Sequence, residues 1–529
     1  MRKILVGIVI SVLLICSVSC MAAETETAYP STAEVIIDGK KVDFCAYNLY
    51  GSNYFMLRDV ALSLNGTDKS FNIIYYHNNG SIYFNEFEDY TSVGTEFMQK
   101  SKNIEEALFS AQTVTRQGEG QFQESQAKEY ALVGYNINGS NYFKIRDIAR
   151  IFDFYISYNN GHIMIDTSKV YEAEKAYEPA GMQIGKAHES DLPLFINEMP
   201  IVSYYAPCET AYNAEQLGRI NKNPRLNGVY INAADLTNYG FDKKEHGGNI
   251  YLTRNKNKAF GILDGVIINS APTGVYDVFG SDEKVYLDGE PIRTVIADNM
   301  FLIAASELMK YGDVYNNYHY LDYSGNVLQD RINIDFMRDE ITERFNSMGE
   351  GETVPITLYS NPETQDDALK YFLYNRTCAQ GKLIKKEGMW QYAISHGVSG
   401  TENEKYIGDI RDNKFNGNGI WEKASSSTGA GSAALNRWRF ERGDFENGAL
   451  VNGIYLYSAG GKPNITGERI EGNMNNGYKR EFFVFQGRDE KYRFGYRTVR
   501  EGEVKGGEYC GYYREYDENG ELIFDDYKN

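Results

Sequence analysis

The sequence predicts an α+β protein in which tandem small units of hairpin, helix and strand precede an all-β C-terminal region. Three observations support this prediction: a segment that recurs after 88 residues, two weaker copies of it, and a shift to Gly-, Tyr- and Phe-rich sequence from about residue 401. With 529 residues, 42% of them hydrophobic, the chain is long enough for several cores and too apolar for a wholly disordered protein.

Residues 1–23 have the pattern of a secretory signal peptide. Arg2 and Lys3 precede an apolar run from Ile4 to Ile15, and small residues follow at Ala22 and Ala23. The apolar run is too short to span a bilayer, which takes about 20 residues. We therefore expect export and an extracellular or envelope-associated mature protein.

Cys20 offers a second way for the signal segment to be processed. The stretch Ser17-Val18-Ser19-Cys20 is similar to a bacterial lipobox, except that Leu is more usual at its first position. Lipidation of Cys20 would tether the mature N-terminus, although one lipid chain holds a membrane only weakly. Cleavage near Ala22 or Ala23 is the first choice, and lipidation at Cys20 is the alternative.

The charge of the chain argues against several partners. The net charge is −19 and becomes −21 when Arg2 and Lys3 leave with the signal segment. Such a field repels phosphate backbones and anionic head groups, so we expect no nucleic acid partner and no strong membrane binding beyond a lipid at Cys20. The mature chain has four scattered cysteines whose pairing the spacing does not define: Cys45, Cys208, Cys378 and Cys510.

The recurring segment has a clear internal structure. From Tyr47 to Ala61, ten of fifteen residues are identical to those from Tyr135 to Ala149. Before the first copy, Asp38-Gly39 favours a tight hairpin turn. Within it, a short aromatic strand leads into apolar residues at helical spacing, which predict one amphipathic helix per copy.

These segments resemble the N-terminal, stalk-type domain of copper amine oxidases, which recurs in exported proteins of Gram-positive bacteria. The match is close over Asn53–Asp59 and again over Asn141–Asp147. The resemblance implies two stalk-like repeats, and two degenerate copies follow at 192–260 and 283–345. The predicted organisation is a signal peptide at 1–23, repeat 1 at 34–97, a linker at 98–126, repeat 2 at 127–172, repeat 3 with an insertion at 192–260, repeat 4 at 283–345, a connector at 346–400 and a C-terminal repeat region at 401–529.

The catalytic domain of a copper amine oxidase is not part of this resemblance. The six histidines are spread one per segment and form no pair with metal-ligand spacing. Arg58-Asp59 and Arg146-Asp147 are better explained by helix starts than by catalysis, because an active site rarely occurs twice in one chain. We therefore predict no catalytic residues, no metal and no cofactor.

The C-terminal region contains a second kind of repeat. The stretch from Tyr406 to Trp421 closely resembles the membrane occupation and recognition nexus (MORN) repeat, a hairpin unit with an aromatic-x-Gly opening and a Gly-x-Gly close. Weaker echoes begin at Gly443, Gly472 and Gly502. The resemblance implies an all-β stack of hairpins whose alternating aromatic side chains cover neighbouring units.

Three functions are compatible with these patterns. The first is an exported, non-catalytic envelope scaffold in which stalk-like domains present the MORN-like region to an envelope protein or polymer. The second is a module that binds cell-wall glycan, with Trp421 and Trp438 as the contact residues. The third is a divergent hydrolase in residues 346–400 or in the insertion near 206–228. The ligand and the oligomeric state stay open.

Overall fold

The structure is a computed structural model that describes most of the chain from residue 25 onwards. The described residues are 25–76, 81–97, 103–117, 128–159, 161–172, 180–206, 218–219, 222–256, 267–269, 274–316, 332–358, 379–395, 400–411, 414–427, 437–459, 464–473, 476–489, 492–517 and 521–528.

Up to residue 172, the described part of the chain consists of twelve strands and two short helices. They are β1 (Thr25–Pro30), β2 (Glu34–Ile37), β3 (Lys40–Val42), β4 (Ala46–Leu49), β5 (Ser52–Met56), α1 (Leu57–Ser63), β6 (Phe71–Tyr76), β7 (Ser81–Glu86), β8 (Glu105–Gln117), β9 (Lys128–Ile137), β10 (Ser140–Lys144), α2 (Ile145–Phe152), β11 (Tyr155–Asn159) and β12 (His162–Asp166). Six of these strands close into a first barrel in the order β1-β4-β5-β10-β9-β8.

The two similar segments share this first barrel. Strands β5 and β10, which carry the matching aromatic residues, pair antiparallel with Phe55 opposite Phe143. Outside the barrel, β2 from the first segment pairs in parallel with β12 from the second, in a sheet of order β11-β12-β2-β3. Apolar side chains of α1 and α2, including Val60 and Ile148, lie in one core. Neither segment therefore buries its apolar face without the other.

The next part of the chain repeats this architecture with 3-10 helices at the positions that correspond to α1 and α2. Its strands are β13 (Gln183–Glu189), β14 (Leu194–Ile196), β15 (Met199–Pro200), β16 (Ser203–Tyr205), β17 (Val229–Asn232), β18 (Phe241–His246), β19 (Asn249–Arg254), β20 (Ile267–Asn269), β21 (Val275–Gly280), β22 (Val285–Leu287), β23 (Glu290–Ile292), β24 (Val295–Ala297), β25 (Met300–Ala304), β26 (Val314–Asn316) and β27 (Ile332–Ile334). Three 3-10 helices span Pro224–Leu226, Ala233–Tyr239 and Ala305–Lys310, and α3 spans Phe336–Ser347. A second barrel closes in the order β13-β16-β17-β25-β24-β21.

The C-terminal part is one large antiparallel sheet. Its strands are β28 (Glu352–Leu358), β29 (Ala379–Lys386), β30 (Met389–Ser395), β31 (Gly400–Arg411), β32 (Lys414–Ser427), β33 (Arg437–Glu446), β34 (Ala449–Ala459), β35 (Asn464–Asn473), β36 (Asn476–Asp489), β37 (Tyr492–Lys505), β38 (Glu508–Tyr516) and β39 (Leu522–Lys528). These twelve strands follow one another in chain order, and β20 pairs with β37. We call this the C-terminal sheet.

The α+β prediction is wrong. In the described residues, 39 strands stand against three α-helices and three 3-10 helices, and the molecule is mostly β with two small barrels. The apolar residues at helical spacing do form α1 and α2, but these have only 7 and 8 residues. In the part of the chain that contains the second barrel, the corresponding positions form the 3-10 helices Ala233–Tyr239 and Ala305–Lys310. The polar stretch 98–126, predicted as a linker, contributes the 13-residue strand β8.

The hairpins of the C-terminal region join into a continuous sheet and not into a stack of separate units. A hairpin has unpaired N–H and C=O groups along both edges, and pairing with the next hairpin satisfies them. Glycines occupy one cross-strand row of this sheet, Gly408, Gly419, Gly443 and Gly453. A Cβ on Gly453 would lie 2.1 Å from the carbonyl oxygen of Arg442, so the close approach of these strands requires glycine.

One face of the C-terminal sheet packs on α3 and on the hairpin of β14 and β15. Arg442 on β33 is fully buried, and its guanidinium pairs with Asp335 and donates to the carbonyl oxygen of Asn197 at 2.6 Å. Asp335 is also the N-cap of α3, because its carboxylate accepts from the backbone N–H of Arg338 at 2.9 Å. Burial opposes ionisation of Asp335, but the charges of Arg442 and Arg338 outweigh it and hold its pKa below the usual range.

We expect Arg442→Met to destabilise the protein by about 3–5 kcal/mol, since it removes one partner of a buried ion pair and leaves a carboxylate without full compensation. Chemical denaturation followed by circular dichroism measures this loss. Arg439→Met, an exposed arginine on the same strand, is the control and should cost less than about 1 kcal/mol. Equal losses in the two variants would contradict the role assigned to Arg442.

Asp59 in the first turn of α1 gives a pH-dependent prediction. Its side chain is fully buried and accepts from the backbone N–H of Phe97 at 2.9 Å. Burial raises the pKa of Asp59 to about 6, against an ordinary value of 3.8. Between these values the folded state holds a proton that the unfolded state releases, so stability is lost as pH rises from about 4 to about 6.

We therefore expect Asp59→Asn to gain stability over the wild type as pH rises, by up to about 3 kcal/mol between pH 4 and pH 7. Thermal or urea unfolding of both proteins across this range measures the difference. The exposed Asp68→Asn serves as the control for loss of one negative charge. A stability difference for Asp59→Asn that does not change with pH would show that the carboxyl titrates normally.

Candidate functional site

The two tryptophans expected to make contacts do not lie together. Trp421 is on β32 and pairs in register with Tyr406 and Glu441 on the neighbouring strands. The backbone of Trp438 on β33 pairs with Ala424, which places that position on the opposite face of the sheet. The side chain of Trp438 is outside the described part of the structure. The candidate site is therefore built around Trp421.

A buried carboxylate fixes the ring of Trp421. Its indole Nε1–H donates to Glu404 Oε1 at 2.9 Å, and the hydroxyl of Tyr392 donates to the same oxygen at 3.0 Å. Glu404 is only 5% exposed, whereas Trp421 is half-buried. The polar edge of the indole is thus used inside the protein, which leaves the flat face of the ring for contacts.

An arginine lies between this ring and a second aromatic ring. The guanidinium carbon of Arg439 is 5.8 Å from the ring centre of Trp421 and 5.4 Å from that of Tyr455. Arg439 also donates to the hydroxyl of Tyr455 at 3.2 Å. Arg439 is exposed and Tyr455 is half-buried, so the three side chains form a partly accessible cluster. We call Trp421, Arg439 and Tyr455 the aromatic–arginine cluster.

Glu441 completes the same face of the sheet. It lies in register between Trp421 on β32 and Tyr455 on β34. Burial raises the pKa of Glu441 to about 7, and the nearby charge of Arg439 opposes this rise. The carboxyl therefore changes its charge near neutral pH, directly beside the two aromatic rings.

This face of the sheet combines several kinds of contact group. It offers flat aromatic surface, a planar guanidinium and carboxylates that accept hydrogen bonds, which together suit ring-shaped ligands with polar substituents. Among the residues that the structure describes, no group of three or more His, Cys, Asp and Glu side chains is arranged to hold a metal ion. No helix of the described part is long and apolar enough to cross a membrane.

The sequence points to Trp421 as a candidate contact residue but not to the side chains that surround it in the structure. Glu404, Arg439, Glu441 and Tyr455 lie on three other strands, and only the register of those strands brings them to Trp421. Alternation along β33 does predict that Arg439 and Glu441 share a face. No local pattern predicts which strands become neighbours.

The structure also shows where several cysteines and histidines of the chain lie. Cys45 and Cys510 are free thiols, whereas Cys20, Cys208 and Cys378 lie outside the described residues. Two histidines have partners in the structure. His162 Nδ1 is 3.1 Å from a carboxylate oxygen of Glu34, and the ring of His188 stacks on Phe109 with centres 3.7 Å apart.

The chain matches no known family model, no curated protein and no solved structure. The resemblances to stalk-type domains and to MORN repeats therefore remain predictions from the quoted motifs.

The raised pKa of Glu441 predicts a pH-dependent emission of Trp421. We expect the intrinsic tryptophan fluorescence to change with a midpoint near pH 7, because ionisation of Glu441 places a negative charge beside the indole. Glu441→Gln and Trp421→Phe should each abolish the transition, whereas Glu446→Gln, at an exposed position of β33, should retain it. A transition that survives in Glu441→Gln would assign the titration to another group.

Proposed function

We propose that this chain is an exported, non-catalytic envelope protein, a scaffold whose C-terminal sheet binds a cell-wall glycan through the aromatic–arginine cluster. The observation that carries the proposal is the arrangement of Trp421, Arg439 and Tyr455, held in place by the buried Glu404. Export rests on the pattern of residues 1–23.

The geometry of the cluster supports carbohydrate as its ligand. Sugar rings have apolar C–H faces that pack on aromatic rings, and their hydroxyl groups pair with guanidinium and carboxylate groups. Fixing the indole through Glu404 reduces the conformational entropy lost on binding. Because Glu404 holds the edge of the ring, the ligand contacts the ring face and not the indole N–H.

The contacts between the parts of the molecule support the scaffold role. Lys186 on the second barrel pairs with Glu26 on the first at 2.9 Å, and both side chains are largely buried. Asn227 donates to the carbonyl oxygen of Ala131 at 3.3 Å across the same interface. Arg442 ties the C-terminal sheet to α3 and to the turn between β14 and β15. These buried contacts favour a rigid support for the binding face over a set of flexibly linked domains.

Co-sedimentation with purified peptidoglycan sacculi tests this function. We expect the mature protein to pellet with the sacculi, and Trp421→Ala and Tyr455→Ala each to weaken binding about tenfold, the equivalent of about 1.4 kcal/mol for loss of a ring contact. Tyr251→Ala is the matched control, because Tyr251 is a half-buried tyrosine of the second part of the chain that stacks on Tyr286.

The outcome of the sedimentation shows whether the ligand is a glycan and whether the aromatic–arginine cluster is the contact surface. A wild-type protein that does not pellet would remove the glycan proposal and direct the search to an envelope protein partner. Equal losses in the Trp421 and Tyr251 variants would show that the cluster is not the contact surface. Fractionation of the producing cell with mass spectrometry of the mature N-terminus tests export, and detection of uncleaved protein in the cytoplasm alone would contradict it.

A further inference from the structure

A cleft of about 790 Å³ lies between α3 and the C-terminal sheet, on the sheet face opposite to the aromatic–arginine cluster. Its volume is within the range of about 300–1,000 Å³ that small-molecule sites occupy, and such sites often lie where two parts of a protein meet. One wall is α3, with the apolar side chains of Met337 and Ile341 and, at the end of the helix, Ser347. The other wall is the sheet, with Asn418 and Asp444.

The polar groups on the sheet side are held in an ordered row. Asn418, Asp444 and Asn452 lie opposite one another on β32, β33 and β34. Asp444 accepts from the side-chain amide of Asn452 at 3.2 Å and from that of Asn418 at 3.5 Å. All three residues adjoin the glycines of the cross-strand row, so the motif that brings the strands together also aligns these side chains.

The charges at the cleft are largely balanced by neighbours. Glu340 forms two hydrogen bonds with Arg254, at 3.1 and 3.2 Å, and Arg344 pairs with Asp409 at 2.9 Å. The exposed rim adds one acid, Glu343, and one base, Lys256. The carboxylate of Asp444 adds one further negative charge, so the net charge of the cleft is small and negative, which suits a neutral ligand better than a phosphate.

We infer that this cleft binds a neutral, hydroxyl-rich ligand, a short oligosaccharide of two or three rings. The carboxylate of Asp444 offers acceptors and the amide of Asn418 offers both a donor and an acceptor, and sugar hydroxyl groups pair with both kinds of group. Met337 and Ile341, each about 5% exposed, add a small apolar area for contact with the C–H groups of a sugar ring. This site does not share residues with the aromatic–arginine cluster and goes beyond the proposed function.

Isothermal titration of the full mature chain with chitotriose, cellotriose and maltotriose tests the inference. We expect at least one of these trisaccharides to bind with a dissociation constant below about 1 mM. Asp444→Ala should weaken binding at least tenfold by removing the central acceptor. Ser347→Trp should abolish it by filling the cleft, while Asn346→Trp, at the exposed neighbouring position of α3, is the matched control and should bind normally.

The experiment separates the cleft from the cluster. Trp421→Ala should retain the binding that Ser347→Trp loses, whatever the result with sacculi. The inference is overturned if none of the three sugars binds the wild type at about 10 mM, a concentration that saturates a site of 1 mM affinity. It is equally overturned if Asn346→Trp and Ser347→Trp lose binding alike, or if Trp421→Ala abolishes it.

Discussion

The buried guanidinium of Arg442 connects three parts of this molecule. It belongs to the C-terminal sheet, pairs with the N-cap carboxylate of α3 and donates to the turn that contains Asn197. Removing a charge from water costs several kcal/mol, and only partners in the right geometry compensate for it. A shifted sheet would leave Arg442 buried without its carboxylate and Asp335 with less compensation, so the pair specifies one arrangement of the sheet, α3 and the turn between β14 and β15.

Both proposed sites depend on that arrangement. The cleft exists because α3 crosses the sheet at a position set by Asp335, which caps the helix and pairs with Arg442. The aromatic–arginine cluster lies on the other face of the same strands. On that face, the cross-strand row of glycines lies next to rows of larger side chains. The ring of Tyr406 packs directly over Gly419, which keeps the aromatic face tightly packed.

A second constraint is that the two similar segments of each barrel part must share one hydrophobic core. A hairpin of three- and four-residue strands with one short helix buries too little apolar surface to fold alone. Here β2 pairs in parallel with β12, and β14 with β27, so distant hairpins complete each other's sheets. Parallel pairing needs a long connection between the strands, which the intervening barrel strands supply.

Local features of this fold could be predicted from the sequence by itself. Asp38-Gly39 does form a turn with positive φ, because a turn depends on the preferences of a few adjacent residues. The choice of Trp421 and Trp438 as contact residues stays a prediction. The predicted α+β class failed, since whether a short apolar segment becomes α-helix, 3-10 turn or strand depends on what packs against it.

Tertiary structure alone decided the closure of the barrels, the pairing of Glu404 with Trp421, and the contact between Arg442 and Asn197, which are 245 residues apart. Such contacts form only when the burial summed over the whole chain outweighs the entropy of closing long loops, and no local pattern contains that sum.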